Sequence, residues 1–297
     1  MSISVEEYAK RCQLTAEEVS ALQEIISNPE TMKMAQEIAD RCFIPEEKQP
    51  APEFPDTQQH SQAWFAAAFL SAEAAEKHFE KLGFPKETLL ETMTDIGIWL
   101  RNCKRNYGYY GIYQARDWQA SLYHGAVTRH GRLECNTDYT YRYDDLTDES
   151  GRVILTKGDK VINLHIPEDG KMDIKLCSIS LHRISSFFAE YLPNYNWKGF
   201  FCESWLLDPQ LKAMVPENSN IRKFQSFGYH FPLHESDAAI FRIFGTTDPQ
   251  KVENPSYLQR KAAEFLKSGG KFASVGFFVP RENIQAVNFD LERLIKE

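Results

Sequence analysis

Residues 161–229, VINLHIPEDGKMDIKLCSISLHRISSFFAEYLPNYNWKGFFCESWLLDPQLKAMVPENSNIRKFQSFGY, decide the fold. Val161, Ile162, Leu164 and Ile166 form a short apolar run closed by Pro167, which reads as a buried strand. Leu181, Ile184, Phe188 and Tyr191 recur at three- and four-residue steps, the spacing of one helix face. Phe200 to Leu207 is a second apolar run, stopped by Asp208-Pro209. Strand, helix and strand in this order make a βαβ unit. Such units gather ligands at the C-terminal ends of their strands.

The composition bounds what surrounds this unit. The 297 residues are enough for two domains, and 42% hydrophobic with 26% charged residues predicts packed globular structure. A net charge of −8 argues against nucleic acid as the main partner, since phosphate neutralisation needs a basic surface. No apolar run approaches the roughly 20 residues that span a bilayer, so no membrane association is expected. The N-terminal MSISVEEYAKRC lacks the apolar stretch of a secretory signal. Six scattered cysteines without C-x-x-C spacing read as reduced, mostly buried thiols. The expected location is the cytoplasm, and no metal is expected.

Upstream, the chain reads as helical. Ser4-Val5-Glu6-Glu7 and Thr15-Ala16-Glu17-Glu18 both fit the capping box, and Asn28-Pro29 is an N-cap and first-turn pair. Residues 45–56 hold four prolines and no periodicity, the mark of a loop or linker. Helix resumes from Ser61 to Leu82, ending at Gly83. One further helix is predicted from Pro85 to Asn106, on the stripe Leu89, Met93, Ile96, Leu100 and Cys103. Tyr107-Gly108-Tyr109-Tyr110-Gly111 breaks it, and these aromatics read either as a flexed interface or as a wall of a ligand site. A helix carrying Trp118, Leu122 and Ala126 completes a helical N-terminal domain, residues 1–130.

The character changes at Gly131. Arg132 to Tyr143 is β-prone, a turn at 148–151 leads to Val153-Ile154-Leu155, and the two segments predict a two-stranded meander. Beyond Tyr229 come strand candidates at His230 to Leu233 and Ala238 to Phe244. A helix at Tyr257 to Lys267, a last strand at Ala273 to Val279 and a short helix at Asp290 to Lys296 follow. The fold class is therefore α+β or α/β: a helical domain, then a mixed β-sheet flanked by helices over residues 131–297.

Within that order, Asn220-Ile221-Arg222-Lys223-Phe224-Gln225-Ser226-Phe227-Gly228-Tyr229 resembles the helix-to-strand signature of the GNAT acyltransferase superfamily. With HGRLECN at 130–136 and CESWLLDPQL at 202–211, the chain resembles the bacterial two-domain family that joins a helical N-acyltransferase domain to a GNAT-like domain. The resemblance implies an acetyl-CoA or other acyl-CoA donor and a small-molecule or peptide amine as acceptor. It leaves the oligomeric state open. It also implies that the Val161–Ile166 strand splays from the Phe200–Leu207 strand, so that Leu164 and Ile166 border the pantetheine arm. Gly170, Lys171, Lys175 and Ser178, before and within the next helix, would face the pyrophosphate, and Asn220 would lie beside the cofactor.

Two departures from the family pattern matter. The glycine-rich phosphate loop is absent from Pro167–Ser178; Lys171 and Lys175 either supply charge in its place or are solvated loop residues. The position that often carries a tyrosine to protonate the departing thiolate is Phe224, which has no proton to donate; nearby Tyr229 is the substitute, or water is. For the base, Glu203 sits mid-strand between Phe201 and Trp205. Unless paired, a carboxylate in such a run is desolvated, which favours proton uptake. The plainer reading is a glutamate facing solvent or an arginine across a domain interface. His165 at the preceding strand's end is the second candidate, against a structural histidine. His182 and Arg183 could touch a phosphate, and Cys202 reads as a core residue because no Cys-His-Asp order supports it. His230, His234, Glu235 and Asp237 are a weak metal set, since Pro232 makes the intervening backbone extended. A catalyst and a non-catalytic module binding CoA esters or a protein partner both follow from these residues.

Overall fold

A computed structural model describes residues 3–43, 51–246 and 248–296. Two compact units emerge: residues 1–130 with 167–169, and residues 131–166 with 170–297.

The first unit is helical: α1 (Val5–Cys12), α2 (Ala16–Ile26), α3 (Pro29–Ile38), α4 (Gln58–Leu82), α5 (Lys86–Met93), α6 (Asp95–Tyr107) and α7 (Arg116–Tyr123), followed by strand β1 (Val127–His130). Thr15 and Glu18 complete a reciprocal capping box on α2. Ser4 accepts only from Glu7 N–H, because the Glu7 carboxylate turns to Arg11 instead. Gly83 ends α4 at φ 73°, a left-handed turn that glycine adopts at no steric cost. The core is built on α4, where Trp64, Phe65 and Phe79 are fully buried. Most of the proline-rich stretch at 45–56 lies outside the described residues, and 51–55 has no regular structure.

The single helix expected from Pro85 to Asn106 is two helices. Thr92 and Thr94 hydroxyls bond back to the carbonyls of Thr88 and Glu91, competing with the helical ladder. The next helix is fixed at its start by buried Asp95, which accepts from Trp118 Nε1 at 3.1 Å and Gln119 Nε2 at 2.8 Å. Its apolar stripe runs through both pieces, which is why periodicity alone did not mark the break.

The second unit holds β2 (Leu133–Asn136), β3 (Leu146–Thr147), β4 (Val153–Leu155), β5 (Ile162–His165), α8 (Ile174–Tyr191), β6 (Gly199–Ser204), α9 (Asn220–Phe224), β7 (Tyr229–Glu235), α10 (Ala238–Phe244), α11 (Tyr257–Lys267), β8 (Ala273–Pro280), α12 (Arg281–Ala286) and α13 (Leu291–Lys296). Its strands run β2-β5-β6-β8-β7; β5 and β6 are parallel and their other neighbours antiparallel. The sheet is mixed and flanked by helices, as expected.

Three expectations need correction. No meander precedes β5: β2 joins the main sheet beside β5, and β3 pairs with β4 as a separate ribbon. Ala238–Phe244 is a helix, not a strand. Ala239, Ile243 and Phe244 are its buried residues and Gly245 caps it at φ 71°, but seven residues are too few for periodicity to separate the two forms. The second strand of the βαβ unit ends at Ser204, whose Oγ accepts from Leu206 N–H and turns residues 205–207 into a 3₁₀ turn.

Alternation gives the sheet two apolar faces. On one, Phe201 and Phe278 pack with Val161, Tyr141 and Leu155, beneath the β3–β4 ribbon. On the other, Phe277 takes Phe224 of α9 at 5.4 Å and Phe227 at 5.3 Å. α8 buries Cys177, Leu181, Ile184 and Phe188.

Candidate functional site

The parallel ladder of β5 and β6 pairs Ile162 with Phe200, Asn163 with Phe201 and Leu164 with Cys202, then stops. One residue further on each strand stand His165 and Glu203. They share the face of Asn163 and Phe201, at the point where backbone groups of the two strands no longer pair with each other.

Glu203 is half-buried and well partnered. Its Oε2 accepts from the Tyr143 hydroxyl at 2.5 Å and lies 3.4 Å from Arg142 Nη2; Ser274 Oγ is 3.4 Å from Oε1. His234 Nδ1 is 3.9 Å from Oε1. Gly276 lies opposite Glu203, and a Cβ there would come within 2.4 Å of the Phe231 ring. Glycine thus lets that ring lie against β8 beside the carboxylate.

His165 is tied to β2. Its Nε2 is 2.8 Å from Asn136 Oδ1 and 3.2 Å from Asn163 Nδ2, and Asn163 Nδ2 donates to Asn136 Oδ1 at 2.8 Å. Burial disfavours the imidazolium and lowers its pKa to about 4, so the ring is neutral at pH 7.

The other predicted residues are spread more widely. Tyr229 lies on the Glu203 face but opposite Phe278, level with Phe201, and packs into the aromatic cluster. Leu164 points to the opposite face and is buried; Ile166 follows β5, half-buried. The carbonyls of Gly170 and Lys171 accept from Arg132 Nη2 and Nε, each at 2.8 Å. Lys171 and Lys175 are exposed, the latter in the first turn of α8. Ser178 Oγ donates to Ile174 O and accepts from Leu291 N–H at 3.0 Å. Asn220 is the first residue of α9, half-buried. Phe224 is core on the face away from Glu203, where a hydroxyl would serve nothing. In the first unit, Glu168 accepts from Asn102 and Arg105, and Asp169 pairs with Arg129.

Cys202 is buried, and burial raises its thiol to about 12, as expected of a core residue. His230 packs on Phe277 at 5.3 Å, and burial lowers its pKa. Among the described residues no group of three or more His, Cys, Asp and Glu is placed to hold a metal ion. No described helix is long and apolar enough to cross a membrane.

Sequence reasoning missed Tyr143, Arg142, Asn136, Asn163 and Ser274 as site residues. A signal existed for the first: Tyr139, Tyr141 and Tyr143 alternate, which sends three rings to one side of an extended segment. Nothing local marked the others.

Residues 127–278 match the GNAT-like C-terminal domain, and residues 4–125 match the N-acyltransferase N-terminal domain. The chain belongs to this two-domain family. Its structure is similar to that of an acyltransferase in complex with decanoyl-CoA and teicoplanin, with TM-score 0.70 and 21% identity over 94% of this chain and 90% of that one. A mutant acyltransferase with octanoyl-CoA aligns at TM-score 0.69, 21% identity, 93% of this chain and 87% of the other. An acyltransferase with decanoyl-CoA aligns at TM-score 0.63, 20% identity, 92% and 98%. At these identities the likeness is one of fold. No curated protein matches the chain.

Proposed function

We propose that the chain transfers an acyl group from acyl-CoA to the amine of a small-molecule or peptide acceptor, with Glu203 as the proton acceptor. The observation that carries this reading is the end of the β5–β6 ladder at Leu164 and Cys202, with Glu203 and neutral His165 flanking the gap on one face. Strands that part there offer unpaired backbone groups to a pantetheine arm between Leu164 and Ile166. Gly170, Lys171, Lys175 and Ser178 follow that strand on the way into and along α8, and Asn220 opens α9. Exposed Lys171 and Lys175 support a phosphate role by charge.

The donor we assign is acetyl-CoA. Tyr141, Phe201 and Phe278 on the Glu203 face are packed to full burial, which favours a short acyl group. The octanoyl- and decanoyl-CoA bound by the similar structures favour a long one. Calorimetry with CoA, acetyl-, octanoyl- and decanoyl-CoA separates the two. Absence of binding to all four at millimolar ligand ends the acyl-CoA reading. Thiol release across a panel of amines then tests transfer, and Glu203→Gln should lower kcat roughly a hundredfold or more. Tyr229→Phe tests the hydroxyl expected to protonate the thiolate; an unchanged kcat removes it. The second reading, a binding module without catalysis, is favoured by one observation: Phe224 is fixed in the core, stacked on Phe277. It predicts acyl-CoA binding without thiol release to any amine.

A further inference from the structure

Glu203 is held from outside the sheet. The segment 139–143 is an extended arm pinned at several points. Tyr139 N–H donates to Tyr195 Oη at 2.8 Å, and Val161 N–H and Tyr141 N–H bond to Tyr139 O and Asp159 O. Tyr141, 1% exposed, donates its hydroxyl to Asp144 O at 2.8 Å. At the end of this arm the Tyr143 ring lies among Tyr141, Phe201 and Phe231, with centroids 5.7, 6.0 and 6.5 Å away. Its hydroxyl donates to Glu203 Oε2 and accepts from Arg142 Nη2 at 3.1 Å, so both of its bonding directions are used.

We propose that Tyr143, backed by Arg142, is the positioning residue of this site: it occupies Oε2 of Glu203 and leaves Oε1 to receive the acceptor's proton. The inference rests on the proposed role of Glu203. Among the described residues, the polar groups near Oε1 are Ser274 Oγ at 3.4 Å and His234 Nδ1 at 3.9 Å, both beyond strong hydrogen-bond distance. In the step itself, the ammonium gives one proton to Oε1. The freed nitrogen lone pair forms the C–N bond to the thioester carbon, the C–S bond breaks, and its electron pair leaves on sulfur. A second proton leaves nitrogen and reaches that thiolate by way of the Tyr229 hydroxyl or water, and Glu203 later returns its own to solvent. A carboxylate free to rotate about its last bond would meet the ammonium in the wrong geometry for part of the time, and small misplacements of this kind cost rate steeply.

The test is Tyr143→Phe, which keeps the ring and removes one oxygen. With the amine and acyl-CoA that give the fastest thiol release, kcat should fall roughly ten- to hundredfold, while KM for acyl-CoA stays within about twofold. Charged or titratable groups near Glu203 on its own face are Arg142, Tyr143, Tyr139 and His234. Arg142→Gln, on a side chain 66% exposed, is a second variant that keeps the buried core and removes the guanidinium that backs the Tyr143 hydroxyl and lies over its ring; a smaller kcat loss with KM for acyl-CoA likewise unchanged is expected. If Glu203→Gln is slow while both Tyr143→Phe and Arg142→Gln keep the wild-type kcat and KM, the positioning role is overturned and the Glu203 reading stands. Wild-type rates in Glu203→Gln, or no turnover of any acyl-CoA by the wild type, overturn both.

Discussion

Two polar residues on one sheet face, His165 and Glu203, are held in opposite ways. Glu203 keeps hydrogen-bond donors on its carboxylate, whereas His165 is neutral because burial penalises its charged form. The second fact has a consequence for stability. The unfolded chain binds a proton on this histidine below the ordinary value of 6.5, and the folded chain resists doing so down to about 4. Its folded value is depressed, so His165 costs nothing above pH 6.5 and draws stability away as pH falls from 6.5 to 4. Denaturant titrations over that window should show a shallower pH dependence for His165→Gln than for the wild type; parallel curves would rule out this contribution. Tyr143 belongs to the same scale. One hydroxyl there sets which carboxylate oxygen of Glu203 is free, a consequence that no pairwise residue preference in the sequence foretells.

Among the elements, the join between β6 and β8 depends on Asp208. It is 1% exposed, accepts from Gln210 N–H at 2.9 Å and from Ala273 N–H at 2.8 Å, and so fastens the turn after β6 to the first residue of β8. Gln225 of the α9 end adds bonds to the carbonyls of Leu206 and Asp208. Asp208→Ala takes the acceptor from the Gln210 N–H and the half-buried Ala273 N–H, and urea unfolding should report a loss of roughly 1–3 kcal/mol. Because Glu203 and Ser274 sit beside this join, the variant should also lower acyl transfer. A second element-scale expectation concerns α2: Thr15→Ala removes half of its capping box and should cost about 1 kcal/mol by the same measurement. The contrast in size follows from the number of bonds lost, since the Asp208 carboxylate holds two N–H groups and the Thr15 hydroxyl one.

For the whole molecule, the six cysteines make the clearest expectation. All are free and buried, and burial raises Cys12, Cys177 and Cys202 to about 12 and Cys103 to about 11. Thiolate is the reactive form, so a thiol reagent at pH 8 should label the native protein slowly and all six sites at once in denaturant. Ligand linkage gives the other: a bound acyl-CoA at a hundred times its Kd should add about 2.7 kcal/mol, seen as a rise in Tm.

The sequence by itself determined the elements whose residues repeat or punctuate strongly. The β5–α8–β6 unit, the helix-to-strand passage at Asn220–Tyr229, the Gly83 stop and the mixed sheet were legible because apolar spacing and turn residues act within a few positions. Tertiary structure decided what short runs became. AAIFRIF at 238–244 carries enough apolar residues for either strand or helix, and only its packing among Leu211, Ala262 and Phe272 selected helix. It also decided the site. Glu203 and His165 were visible as polar residues in apolar strands, but Tyr143, 60 positions from Glu203, meets it only because Tyr195 pins the arm that carries it. Periodicity reports which way a side chain faces within its own element; which distant hydroxyl it finds there depends on register and packing between elements.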